Sequence, residues 1–580
     1  MNRIYVFFSY LCSKLRAVKK ILLGLIVLLC HWIAFADNTE EEKVRLLLSE
    51  RGEASVLIEA EREDLYLLTR IVSLDGKSGD GYVAYVNKKQ FDELCRTGFK
   101  YTLLENNSPK AASMASDISQ MASWNKYPTY EVYVQMMRNF ASSYPDLCCL
   151  DTICLSENGR LILSLKITAL SEQYTAKPKF FYSSSIHGDE LTGMIMLLRL
   201  ADSLLSSYNT NLQIQNLLSS VELYICPLAN CDGAYAGGNN SVSNATRYNA
   251  NYVDLNRNFP DPVYGSHADG EQYQAETIGF MTYAERKRFD LAANLHGGAE
   301  VCNYPWDCWT SSQRTHPDKA WFETICSRFV SMVKQNAPSS YFTDVATNGI
   351  VAGGNWYTVF GGRQDYHNYF LKCREITIEV SSTKTPSSSS LPLYWNYLGK
   401  GLTQFVFDAT RGICGTITDQ DDLSPIDSVR VIVEGIDRDD MSVFSKQEGD
   451  YFRGLEQGNY TLVFSKEGYQ DKRVSVGVLS DSLLVMNVSL SKNAVSLSEQ
   501  EPINRLTICP NPCKDNLRFE SDFAGDYEIV SIGGIVLKKG SFASGESTIN
   551  LADLPAGAYL FKYSNKDCSL GICSTTIIKQ

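Results

Sequence analysis

Between Trp124 and about residue 410, short apolar runs alternate with amphipathic stretches, and this alternation constrains the fold more than any other feature. The runs "PKFFYSSS", "VELYICPL", "FDLAANL" and "REITIEVS" have the length and composition of strands. Helical patterns lie between them, as in "ELTGMIMLLRLADSLL", where apolar residues 191, 194, 195, 198, 201 and 205 share one face. Strands that are almost wholly apolar and separated by helices predict an α/β fold: a mixed open sheet with helices on both faces. Such sheets place their sites in the loops at the carboxyl ends of the strands.

A chain of 580 residues is too long for one core. Residues 1–36 read as a signal peptide, with basic "KLRAVKK", apolar "ILLGLIVLLCHWIAFA" and the small-x-small end Ala34-Phe35-Ala36. Residues 37–110 mix β-like "ASVLIEA" and "GYVAYVN" with helical "NKKQFDELCRTG", a small α+β unit; 111–123 is small, polar and linker-like. The α/β region covers 124–410. Strands at short intervals over 411–492 predict a β-sandwich, 493–504 a second linker, and 505–580 a second β-sandwich domain. No later segment is apolar for the roughly 20 residues a membrane helix needs, so the mature chain is expected to be exported without a membrane span. The net charge of −12 argues against nucleic acid as a partner. Seventeen cysteines suit an oxidising compartment, and the close pairs Cys302/Cys308 and Cys509/Cys513 are candidate disulfides.

Two histidines follow apolar strands. His187, in "SSSIHGDE", comes with Glu190 three residues on; His296, in "NLHGGAE", ends another strand. Catalytic zinc takes three ligands from imidazole and carboxylate and keeps one position open, so two histidines and a glutamate at matching strand ends are a candidate metal centre. His267, His316 and His367 sit in polar, loop-like contexts. In "VDLNRNFPD", Asn256-Arg257 offers a guanidinium shaped to hold a carboxylate through two parallel hydrogen bonds. In "REITIEVS", Ile376, Ile378 and Val380 share one face, which leaves Glu379 on the other.

Together, "SSSIHGDE", "DLNRNFPD", "NLHGGAEVCNYPWD" and "GGRQDY" resemble the zinc metallocarboxypeptidases of the carboxypeptidase N/E type, over roughly residues 125–490. The stretch "EGDYFRGLEQGNYTLVFSKEGYQ" looks like the transthyretin-like domain of that subfamily. The resemblance implies one zinc ion on His187, Glu190 and His296, with Asp254 orienting the first histidine. It implies that Asn256 and Arg257 bind the substrate's terminal carboxylate, that Arg247 stabilises the oxyanion, and that Tyr357 closes over the substrate. Glu379 would be the general base for water activated with zinc and then the proton donor to the leaving amine; Glu375, on the same strand face, does not match. Gln364 and Asp307 would form the side-chain pocket, and they imply a preference for C-terminal Lys or Arg.

The chain departs from the N/E type at both ends. Residues 37–110 look like a pro-region, inhibitory or folding-assisting. The C-terminus, with "ICPNPCKDNLRF" and "LPAGAYLFKY", resembles the sorting domain of type IX secretion, which implies that secretion machinery as a partner and release or attachment at the cell surface. The expected activity is therefore that of a secreted exopeptidase acting on peptide and protein C-termini. The rivals are a murein-peptide carboxypeptidase or an amidoacyl deacylase on the same scaffold, or a non-catalytic surface binding protein.

Overall fold

The computed structural model describes residues 39–104, 112–169, 176–438, 441–493, 506–531, 534–565 and 573–580. The signal-peptide reading lies outside these residues, as does almost all of the second linker. The chain divides into two compact units, Met1–Asn493 and Ala494–Gln580.

In the first unit, strands β1 (Ala54–Glu59), β2 (Ser73–Ser78), β3 (Gly81–Val86) and β4 (Tyr101–Leu103) form an antiparallel sheet in the order β2-β3-β1-β4. Helices α1 (Glu40–Arg51) and α2 (Lys88–Thr97) pack on it. Both begin with capping boxes, Thr39 with Glu42 and Asn87 with Gln90, and both end on a left-handed glycine, Gly52 or Gly98.

The α/β region is built on an eight-stranded sheet: β5 (Cys148–Leu155), β6 (Leu161–Ile167), β7 (Lys179–Ser184), β8 (Glu222–Cys226), β9 (Leu291–His296), β10 (Ala299–Tyr304), β11 (Ile350–Ala352) and β12 (Arg374–Ser381), in the order β11-β10-β12-β9-β7-β8-β6-β5. The central strands β12, β9, β7 and β8 run parallel; β10 and β6 pair antiparallel to their inner neighbours. Every residue of β9 and β12 is buried, as strands covered on both faces must be. Helices α3 (Tyr130–Ser143), α4 (Thr192–Ser207), α5 (Ala275–Lys287), α6 (Lys319–Lys334) and α8 (Leu391–Asp408) supply that cover, with the short α7 (Arg363–Tyr369) against β12.

Residues 412–490 form two four-stranded sheets with a core of Ile413, Val431, Leu462 and Phe464. In the second unit, strands between 506 and 579 form a three- and a four-stranded sheet over Leu517, Phe519, Phe561 and Ile577.

The structure departs from the sequence reading in three places. Cys302, Cys308, Cys509 and Cys513 are all free thiols. Cys302 faces Cys326 across the β10–α6 contact, and the Cys308 thiol donates to Asp365, so neither points at the other. His316 and His367 are buried: His316 packs on Trp306, and His367 lies in α7, 2.6 Å from Glu375. Residues 112–123 are also more ordered than their composition suggests. Ala115 and Met121 join the main core, and Met114-Ala115 pairs with Tyr127-Pro128.

Candidate active site

Three strand ends meet at one point. After β7 the backbone turns through Ser185, whose φ is +56° and whose hydroxyl donates to the Glu190 carbonyl at 2.8 Å. Gly188 follows, where a Cβ would stand 2.3 Å from the Gly233 carbonyl carbon, so only glycine lets the loop lie this close. That path delivers His187 and Glu190, and β9 delivers His296 from the neighbouring strand. Their candidate ligand atoms all lie within 4.8 Å of one another, and all three residues are buried. The Nδ1 atoms of His187 and His296 each lie 2.9 Å from one oxygen of Glu190.

This donor set fits a zinc ion. Each imidazole has its other nitrogen engaged, His187 Nε2 by Asp254 Oδ1 at 3.1 Å and His296 Nε2 by the Asn294 side-chain amide at 2.8 Å, so both Nδ1 atoms face inward. Burial pushes His296 down to about 4, which keeps its ring neutral. Despite burial, the neighbouring His187, Lys384 and His296 hold Glu190 well below the usual carboxylate range. Two nitrogens and an ionised carboxylate are ligands that zinc accepts.

Glu379 is in register with His296 on the adjacent parallel strand. Its Oε2 is buried without a partner, and burial, with Glu190 nearby, raises its pKa well above the ordinary value. Glu375 differs. Its carboxylate binds Arg363 Nε at 3.0 Å and His367 Nδ1 at 2.6 Å; burial opposes ionisation, yet these partners bring it down to about 2. Arg363 thus points away from the cavity, and its Nη1 donates to Ser183 at 2.5 Å.

Arginines line another side. Arg247 Nε lies 3.0 Å from Asp254 Oδ2, and its Nη1 lies 3.6 Å from Glu190. Arg257 spends Nη1 on the Asn256 carbonyl, while its Nε is buried with no partner. Asn256 is fixed by its own side-chain oxygen, which accepts the Arg363 N–H at 3.0 Å. On the far wall, Asp307 is buried and accepts from Asn303 Nδ2 at 3.1 Å and Gln364 Nε2 at 2.9 Å. Burial, reinforced by Asp365, pushes its carboxyl pKa well up. Gln364 stands behind Asp307, with its own Oε1 buried and unpartnered. His187, Glu190, Arg247, Asn256, Arg257, His296, Asp307, Tyr357 and Glu379 surround one cavity of about 30 Å3.

Residues 133–398 match the family model described as zinc carboxypeptidase, and 413–501 match a CarboxypepD_reg-like domain. Carboxypeptidase SOL1 of Arabidopsis thaliana is 31% identical over 383 residues, 64% of this chain and 75% of that protein. The chain belongs to the zinc carboxypeptidase family.

Other relatives in this family include the carboxypeptidase N catalytic chain of Rattus norvegicus, 31% identical over 384 residues, 61% of this chain and 83% of that one. Carboxypeptidase D of Mus musculus is 31% identical over 392 residues, 65% of this chain, and the match spans only 28% of that longer protein. Residues 507–579 match a secretion system C-terminal sorting domain, which marks this family member for export, with release or attachment at the cell surface. No described helix is long and apolar enough to cross a membrane.

Four site residues carry no local signal in the sequence. Asp75, on β2, places Oδ1 3.1 Å from Arg247 Nη1 and 2.9 Å from Lys384 Nζ. Lys384, in the loop after β12, also touches Glu190 at 2.7 Å. The Leu74 carbonyl accepts Arg257 Nη2 at 3.0 Å, and Glu53 accepts the Arg247 N–H at 2.9 Å. Tyr357 packs against the core of the 39–104 domain.

Proposed function

We propose that this protein is a zinc-dependent carboxypeptidase that removes C-terminal residues from peptides and proteins, with a preference for Lys and Arg. The observation that carries this reading is the convergence on one cavity of a His–Glu–His cluster, an unpartnered buried glutamate oxygen and two arginines. An exopeptidase needs these parts together. Bound by His187, Glu190 and His296, zinc supplies Lewis acidity for the scissile carbonyl and for water.

The protein's own residues supply the rest. Arg257, with its free Nε and the Nη2 now donated to Leu74, grips the terminal carboxylate while Asn256 adds an amide donor, so only chain ends are accepted. Arg247 points its Nη1 towards the reacting centre, where it meets the developing oxyanion. Glu379 Oε2, buried and without a partner, takes a proton from the attacking water and returns it to the leaving amine. Tyr357 closes the cavity wall. Asp307, with the unpartnered Gln364 Oε1 behind it, offers acceptors for an ammonium or guanidinium. Glu379→Gln tests the assignment: turnover should fall at least ~10²-fold with metal retained. Near-normal turnover would remove Glu379 from the mechanism.

The 39–104 domain acts as a pro-region in this reading. Asp75 occupies both Arg247 and Lys384, and the Leu74 carbonyl occupies Arg257, the groups a substrate would use. The residual cavity of about 30 Å3 has room for a few waters at most, far short of an arginine side chain. In this reading only molecules in which this domain has moved, or from which it has been removed, admit substrate, and that open fraction carries the activity of the intact chain.

A further inference from the structure

Asp307 projects from a loop after β10, and a loop acid reaches a pocket only if its backbone is held. The Asp307 N–H lies 3.0 and 3.1 Å from the two oxygens of Asp365, and the Cys308 N–H lies 2.8 Å from Asp365 Oδ2. Asp365 is 1% exposed and stands in the first turn of α7, next to Gln364. The loop is fixed on its other side by the Trp306 carbonyl, which accepts Gly354 N–H at 2.8 Å, and the Asp307 carbonyl, which accepts Val359 N–H at 3.1 Å. At Gly353 a Cβ would stand 1.7 Å from Asp307 Oδ1, so the acid has a single lodging. Asp365 itself touches neither the cavity nor the candidate metal ligands.

We infer that Asp365 is the positioning residue for basic-side-chain selectivity: its carboxylate clamps two consecutive N–H groups and so sets Asp307 at the pocket floor. This rests on the proposed carboxypeptidase reading. Oδ2 of Asp365 accepts from both N–H groups and Oδ1 from that of Asp307, so each oxygen position faces a donor and neither has room for another donor. An Asn side chain turns an NH2 towards one of these N–H groups, which loses a hydrogen bond and pushes the loop away. The expected consequence is a loss specific to cationic substrates, because Arg247, Arg257 and Glu379 do not hang on this loop.

The test uses the full chain and paired peptides ending in Arg and Leu, with kcat and KM measured for wild type, Asp365→Asn, Asp307→Ala and the double variant. Each ratio is read on one preparation, so the fraction of molecules with an open cleft cancels. Asp365→Asn should lower the Arg-to-Leu ratio of kcat/KM at least ~10-fold, chiefly through KM, the loss of about one hydrogen bond at 1.4 kcal/mol per tenfold. Leu-ended peptides should change less than about twofold. In the double variant the ratio should equal that of Asp307→Ala alone. Equal loss for both peptides, an unchanged ratio, or additive losses in the double variant would overturn the inference. If Asp365→Asn does not fold, Asp365→Glu, which keeps the charge, should fold and lose part of the ratio; an unchanged ratio there also overturns it. A crystal structure of the variant gives a readout free of turnover: Asp307 should leave hydrogen-bond range of Gln364. An unmoved Asp307 sinks the inference even in an inactive enzyme, whereas a wild type without Arg preference sinks only the specificity reading.

Discussion

Replacing Asp75 with alanine should activate the full-length enzyme. Among the described residues of the N-terminal domain, Asp75 is the acid that bridges both Arg247 and Lys384. Its removal leaves neither cation stranded, since Arg247 keeps Asp254 and Lys384 keeps Glu190. The large penalty for an orphaned buried charge therefore does not apply. What is lost is two charge-assisted contacts of a side chain 18% exposed, together worth about 1.5–3 kcal/mol. Other contacts stay in place, among them Glu53 to Arg247 N, Leu74 O to Arg257 and Thr69 to the Thr358 carbonyl. If the covered state dominates, activity scales with the open fraction, so 1.5–3 kcal/mol predicts roughly a 10- to 10²-fold gain in kcat/KM. The assay is release of C-terminal Arg from a short peptide by intact protein, with electrophoresis confirming that no cleavage between the domains has occurred. Unchanged or reduced kcat/KM in an intact, folded Asp75→Ala protein would refute the latch.

Selectivity should depend on pH. Asp307 has its carboxyl pKa raised by burial and by Asp365, and Asp365 is itself pushed up to about 6, first by burial. A raised pKa means the neutral form persists to higher pH, and a cationic side chain gains only from the ionised form. The Arg-to-Leu ratio of kcat/KM should thus rise with pH through the neutral region and fall as pH drops; a flat ratio between about pH 5 and 8 would remove Asp307 from the pocket's electrostatics. Glu375→Gln should act on stability: it strips the carboxylate from buried Arg363 and His367, at a cost of about 3–5 kcal/mol, measured by denaturant unfolding. Unchanged stability with a turnover loss like that of Glu379→Gln would contradict the separation of roles.

Much of the α/β region was legible because its signals are local. Strand-length apolar runs marked β7, β9 and β12, and their ends carry His187, His296 and Glu379, the last two directly in register. The apolar face read over 191–205 corresponds to α4, Thr192–Ser207. The N-terminal contacts were not legible. Asp75 lies in "SLDGKSGDG", a polar stretch without an apolar pattern, and β2 pairs with β3 there across a register shift between Leu74 and Gly76. Its partners are 172 and 309 residues away in sequence, and no periodicity encodes such a pair. Cysteine spacing misled for a related reason: Cys302 and Cys308 are close in sequence, but one thiol faces α6 and the other faces α7. In 112–123 the small polar residues masked Met114, Ile118 and Met121, which pack against the main core.

The central claim is that His187, Glu190 and His296 hold a zinc ion on which peptide-end hydrolysis depends. The most direct measurement combines metal analysis with mass-spectrometric detection of product, on wild type and His296→Ala, before and after chelation and after zinc is returned. The account predicts about one zinc per wild-type chain, loss of a single C-terminal Lys or Arg from the test peptide, abolition by chelator and recovery with zinc, and neither metal nor product in His296→Ala. Full activity in a metal-free wild-type protein, or cleavage at internal peptide bonds instead of the chain end, would contradict it.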